Sequence, residues 1–312
     1  MAVYLAEWWS VSEPWCVLLA SRLTPQRAEI RLLECGAEYG PPLPRDPLAA
    51  ALRRAASITS RESIAAVVAA HAECWWEGPL KDLDARNLFV QPRHQGTGYE
   101  VLLALLRLES HVPSSAPVLF LPADCVVSNE EVMTRTLITL IEWITNEPQP
   151  VYLLGAVPQG PHDQLGYVIP WHDAMDMPTS VYEFVEKPDT REARKLINAG
   201  GLWNTFIFGG TFASLIELFR PEFDATLLAL REALQTEPHE IDALARIYDR
   251  LTSVDFSQHL LAKKTDNLHV LRLPRCGWWP LKSPNLDREP RGAIAPAAVK
   301  NRDYVFSEYR KI

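Results

Sequence analysis

Three short segments carry side chains that could do chemistry together. Leu119-Phe-Leu-Pro-Ala-Asp-Cys-Val-Val127 is an apolar run interrupted by one carboxylate, Asp124. Read as a buried strand, it delivers Asp124 to the carboxyl edge of a parallel sheet, where ligands and metals collect. An aspartate there can ligate Mg²⁺ and neutralise phosphate charge; the same residue could instead cap the next helix. Val181-Tyr-Glu-Phe-Val-Glu-Lys-Pro-Asp189 ends a strand in Glu186 and Lys187, with Pro188 fixing the chain beyond them. Such a pair can hold a sugar hydroxyl and a phosphate at once, or simply form a surface ion pair. Gly200-Gly-Leu-Trp-Asn-Thr-Phe-Ile-Phe-Gly209 sets Asn204 beside Trp203 at the start of another strand, a second polar group for the same pocket.

A fourth segment, Leu88-Phe-Val-Gln-Pro-Arg-His-Gln-Gly-Thr-Gly98, ends a strand at Gln91 and opens a helix at Gly96 and Thr97. The free amides of a helix N-terminus suit an anion or a base edge, although an ordinary strand-to-helix loop has the same form.

The elements that must position these residues alternate. Apolar runs at 15–20, 63–69, 87–90, 118–121 and 151–157 read as strands between longer helical stretches, which predicts an α/β fold with a mostly parallel, Rossmann-like sheet covered by helices on both faces. Thr97 to Glu100 and Ser128 to Glu131 read as capping boxes, predicting helices over 97–108 and 129–145. Beyond Gly166 the pattern changes to strands at 166–169, 181–186 and 202–208, broken by a helix that Asp189 can cap. This predicts a small mixed-sheet lid region. Helices follow near 212–219, 225–235 and 240–251, then a strand at 268–273. The expected organisation is a domain over 1–283, with a nucleotide half to about 165 and a sugar half from 166, and an extended arm over 284–312.

Charge and cysteines narrow the partners. A net charge of -8 disfavours nucleic acid and anionic membrane surfaces, which require a positive field. The five cysteines are widely spaced and contain no C-x-x-C pair, fitting neither a disulfide framework nor a zinc site. The N-terminal residues lack the charge pattern of a signal peptide, and no apolar run reaches the roughly 18 residues of a membrane span. A soluble, cytoplasmic protein is the expectation.

The order of RDPLAAALRRA, FVQPRHQGTG, LPADCVV, LGYVIP, FVEKPD, GGLWNTFIF, VDFSQHLL and CGWWPLKSP adds an identification. From about Asp46 to Pro284 the chain resembles the sugar-1-phosphate nucleotidyltransferases, most closely those of the mannose-1-phosphate guanylyltransferase type. These enzymes join a sugar 1-phosphate to a nucleoside triphosphate and release pyrophosphate. The resemblance implies that Gln91, Gly96 and Thr97 lie near the nucleotide base. It implies catalytic roles for Asp124 and Lys187, with Asp124 as the Mg²⁺ ligand, and sugar or phosphate contacts from Gly166, Glu186, Lys187 and Asn204.

The chain also departs from that family. The family's glycine-rich G-G-x-G-T-R-L-x-P loop is replaced by Val17-Leu-Leu-Ala-Ser-Arg-Leu-Thr-Pro25, so the backbone cradle for phosphate is missing. Where the family has G-W-x-D-x-G this chain has Gly277-Trp-Trp-Pro-Leu-Lys282, with Pro280 in place of the second metal carboxylate and Lys282 in place of the last glycine. Cys125 replaces a histidine, and Gln164-Leu165 stand before Gly166 in place of Gly-Tyr. Losing one preorganised donor costs about 10²-fold or more, so Mg²⁺ binding is expected to be weak or absent and turnover poor. Two readings follow. One is a pseudoenzyme that binds a sugar 1-phosphate or nucleotide sugar, regulating or scaffolding an active homologue or associating with itself. The other is a working enzyme making GDP-mannose from GTP and mannose 1-phosphate, with Arg22, Arg27, Arg31, Asp287 or Glu289 filling the gaps. A purely structural partner without a ligand is a third.

Overall fold

The computed structural model describes residues 12–21, 46–172, 177–236 and 240–281. Its strands are β1 (Trp15–Leu19), β2 (Ile64–Ala69), β3 (Leu88–Gln91), β4 (Pro117–Pro122), β5 (Cys125–Val126), β6 (Val151–Ala156), β7 (Tyr167–Pro170), β8 (Thr179–Val185), β9 (Leu202–Thr211), β10 (Leu268–Leu273) and β11 (Trp279–Pro280). Its α-helices are α1 (Pro47–Ala55), α2 (Glu73–Leu80), α3 (Thr97–Leu108), α4 (Glu130–Asn146), α5 (Thr190–Asn198), α6 (Phe212–Glu217), α7 (Asp224–Leu234), α8 (Glu240–Tyr248) and α9 (Phe256–His259).

Nine strands form one sheet in the order β3-β2-β1-β4-β9-β6-β10-β8-β7. The pairs β3–β2, β2–β1, β1–β4 and β6–β10 are parallel, whereas β9 runs antiparallel to both β4 and β6. β8 reverses direction against β10 and β7. The mixed region expected over 166–208 is therefore present as part of this same sheet, with β9 as one of its central strands. β5 and β11 form a separate two-stranded sheet.

Alternation along the central strands explains why both faces are covered. In β1, Cys16 and Leu18 face one hydrophobic layer with residues of α1, α2, α4 and α5. Val17 and Leu19 face the other, with α3, α6, α7, α8 and α9. Strands buried on both faces carry nearly continuous apolar sequence, and all six residues of β2, β4 and β6 are buried.

The predicted helix caps are corrected in two places. α3 starts as expected, but its N-cap is Gly96 (φ 89°) without a side-chain bond. Thr97 Oγ1 accepts the Phe256 amide (2.9 Å) and Glu100 Oε1 accepts the Ser21 amide (3.2 Å), so both groups of the expected capping box serve tertiary contacts. A Cβ at position 96 would stand 2.2 Å from the Val254 carbonyl oxygen, which with the positive φ explains why a glycine occupies the cap. α4 is capped by Asn129, whose side chain accepts the Val132 amide (3.1 Å), not by Ser128. The Ser128 amide is committed to the Cys276 carbonyl at 3.0 Å. Asp189 caps α5 as read from the sequence, accepting the Glu192 amide at 2.7 Å.

Candidate functional site

The carboxyl ends of β1 and β4 open into a cleft of about 740 Å³, counted out to its open mouth. Asp124 reaches it because β4 ends at Pro122 and the chain turns immediately into β5. β11 lies antiparallel to β5 with Pro280 opposite Cys125, and the Leu281 amide donates to the Asp124 carbonyl at 2.7 Å. Asp124 and Pro280 thus line the same end of the cleft.

Behind them Arg54 of α1 is buried. Its Nε and Nη2 donate to the Glu130 carboxylate at 3.0 and 2.8 Å, and its Nη1 stands 3.7 Å from Cys125 Sγ. Burial pushes the Cys125 thiol up against the opposing pull of Arg54, and burial raises the Cys276 thiol to about 11. Both thiols stay protonated near neutral pH and supply no nucleophile.

The opposite wall comes from β7, β8 and β9. Glu186 and Lys187 follow the end of β8, and Lys187 adopts a left-handed backbone (φ 49°) that non-glycine residues rarely take. Gly166 gives Glu186 its place, since a Cβ there would stand 2.5 Å from Glu186 Oε2. The Asn204 amide donates to the Gly166 carbonyl at 2.8 Å, tying β9 to the start of β7. The Asn204 side chain is buried; its Nδ2 donates to Ser257 Oγ (3.4 Å) and its Oδ1 accepts the Phe206 amide (3.1 Å). A carboxamide offers two donor hydrogens and two acceptor lone pairs, so Asn204 retains one of each for a ligand.

Of the sequence-predicted residues, Thr97, Asp124, Gly166, Glu186, Lys187 and Asn204 line this cleft together. Gln91 and Gly96 are not among its lining residues. Gln91 is fully buried and donates to the Tyr248 hydroxyl at 3.3 Å, while Gly96 packs on Val254. Arg22, Arg27, Arg31, Lys282, Asp287 and Glu289 lie outside the described residues.

Sequence reasoning missed Glu100, Phe206, Asp255 and Ser257, all of which line the cleft. Glu100 was masked by its fit to a capping box, yet it is one of the few polar residues in a helix buried on nearly every side, which is the signal that could have singled it out. Asp255 looks like a helix cap and is one, accepting the Gln258 amide at 3.0 Å.

Among the described residues, no three His, Cys, Asp or Glu side chains are grouped to hold a metal ion. The donor set at Asp124 explains why: its neighbours across β5 and β11 are a proline ring and a protonated thiol, not oxygen ligands, and hard divalent cations require oxygen. No described helix is long and apolar enough to cross a membrane.

Comparison with known proteins agrees with this geometry. No family profile matches the chain. An alginate biosynthesis protein AlgA of Pseudomonas syringae pv. tomato is 27% identical over 205 residues, covering 63% of this chain and 41% of its own length. AlgA of Pseudomonas aeruginosa is 27% identical over 165 residues, covering 49% of the chain and 34% of its own. The chain thus spans well under half the length of these relatives. Among solved structures, one described as a mannose-1-phosphate geranyltransferase from Thermus thermophilus superposes with a TM-score of 0.69 at 25% identity, covering 86% of this chain and 76% of the other. A structure described as a mannose-6-phosphate isomerase from Helicobacter pylori superposes at 0.64 with 14% identity, covering 86% of this chain and 100% of the other, and shares the fold. Together with the cleft that gathers Asp124, Lys187 and Asn204, these likenesses support the resemblance to the sugar-1-phosphate nucleotidyltransferases.

Proposed function

We propose that the chain binds a sugar 1-phosphate or nucleotide sugar and transfers nucleotidyl groups poorly or not at all, acting on an active homologue or through self-association. The observation that carries this reading is the pairing of β5 with β11, which sets Pro280 beside Asp124 where a second carboxylate would be needed. Nucleotidyl transfer depends on positioning and on neutralising phosphate charge. With one carboxylate at that end of the cleft, a divalent cation would rely on ligand phosphates and water for its remaining positions.

The sugar side is better furnished. Lys187 supplies a cation for a phosphate, and Glu186 and Asn204 offer acceptors and a donor to hydroxyls. Mannose is the favoured sugar, on the likeness to the Thermus structure.

The working-enzyme reading, GDP-mannose formation from GTP and mannose 1-phosphate, draws its support from Asp124, Lys187 and Asn204 sharing one cleft. One experiment separates the two: calorimetric titration with mannose 1-phosphate, GDP-mannose and GTP, with and without Mg²⁺, beside a pyrophosphate-release assay. The binding reading expects a sugar ligand to bind more tightly than GTP, and turnover at least ~10³-fold below an intact relative. Pyrophosphate release at roughly 1 s⁻¹ or faster, abolished by Asp124→Asn, establishes the working enzyme instead.

A further inference from the structure

Phe206 holds a backbone conformation that its side chain should resist. It lies within β9 at φ 60°, and a bulky residue at positive φ is an outlier. Glycine would adopt the same angle without steric cost. The conformation is held from both sides: Asn204 Oδ1 accepts the Phe206 amide at 3.1 Å, and Thr205 Oγ1 donates to the Leu154 carbonyl (2.6 Å) while accepting the Ile207 amide (3.1 Å). Across β6 the register shifts between Leu153 and Gly155, so this stretch of β9 is bulged. Bulges re-aim side chains, and strained residues persist where the surroundings over-determine them.

The ring's surroundings show what is aimed. Phe206 meets Phe208 edge-on at 5.7 Å and Phe256 at 6.0 Å, while Phe208 and Phe256 stack on each other at 4.8 Å. Those two are 1% and 0% exposed. Phe206 is only half-buried and lines the cleft beside Asn204. It is the outermost member of an aromatic cluster, turned toward the space in which a ligand bonded to Asn204 would lie.

We infer that Phe206 is a specificity-determining residue whose ring forms an apolar platform for the C–H face of a pyranose held by Asn204 and Lys187. The inference rests on the sugar-phosphate reading above and adds what selects the ring. A pyranose bonded through its hydroxyl edge leaves a C–H face to cover, and an aromatic face against it removes apolar surface from water.

The test uses the whole chain with mannose 1-phosphate and glucose 1-phosphate in calorimetric titrations of the wild type, Phe206→Gly and Phe206→Tyr. Phe206→Gly should weaken binding of the preferred sugar phosphate ~10-fold, the loss expected when roughly 50 Å² of apolar contact goes uncovered. Phe206→Tyr, which keeps the ring, should stay within about 3-fold of wild type. If Phe206→Gly does not fold, Phe206→Asn replaces it, because asparagine tolerates positive φ, and the same ~10-fold loss is expected. Equal affinity in the wild type and the ring-less variant overturns the platform while leaving sugar-phosphate binding intact. So does a loss in Phe206→Tyr as large as in Phe206→Gly. Failure of the wild type to bind either sugar phosphate overturns the broader reading and the platform with it.

Discussion

The two walls of the cleft treat their polar groups differently. On the wall built from β1, α3 and the β5–β11 pair, several of those groups are spent on the fold. The Ser21 amide goes to Glu100, the Thr97 hydroxyl to the Phe256 amide and the Asp124 carbonyl to Leu281. The Arg54 guanidinium is likewise committed to Glu130 and Cys125. On the wall built from β7, β8 and β9, the backbone is strained instead. Lys187 and Phe206, the positive-φ non-glycine residues among those described, both line the cleft. Groups committed to the fold in this way stabilise the wall and are not offered to a ligand. Strain lowers stability and persists at sites that use it. On the function proposed above, ligand recognition falls to the second wall and support to the first.

The strongest challenge to that division is Glu130→Ala. It leaves the Arg54 guanidinium buried without its carboxylate, and breaking such a pair costs about 3 kcal/mol, the low end of the usual range because the Glu130 side chain is 48% exposed and solvent already reaches it. Urea denaturation reads the loss; a change under about 1 kcal/mol would show that the first wall does not depend on this pair.

Lys187→Ala sharpens the contrast. It should weaken sugar 1-phosphate or nucleotide-sugar binding by about 1.5 to 3 kcal/mol, the range for a hydrogen bond to a charged group, with little change in unfolding midpoint. Tight GTP binding untouched by Lys187→Ala would reverse the assignment of the walls.

Thr97→Ala has the smallest expected effect. The buried Phe256 amide loses its acceptor, so stability should fall by about 1 kcal/mol while sugar-phosphate affinity holds. A large affinity loss without destabilisation would move Thr97 from support to recognition.

What the sequence by itself determined was most of the larger elements and the polar residues that meet in the cleft. β10 and α3 occupy the predicted spans, because an apolar-rich strand run and the periodic apolar run of a buried helix are local signals. Glu186, Lys187 and Asn204 were legible because polar residues at the ends of apolar strands have little local reason to be there. Tertiary structure alone decided how the groups were used. The box from Thr97 to Glu100 had the spacing of a local cap, and distant partners, Ser21 just beyond β1 and Phe256 in α9, claimed both side chains instead. Gln91 looked like a ligand contact and is bonded to Tyr248 in the core. Phe206 gave no sign in the sequence, since its positive φ accompanies a register shift between β6 and β9 that no local pattern announces. Backbone propensity acts over a few residues. Which hydrogen bonds a buried side chain completes, and where strain is held, is settled by segments brought together from across the fold.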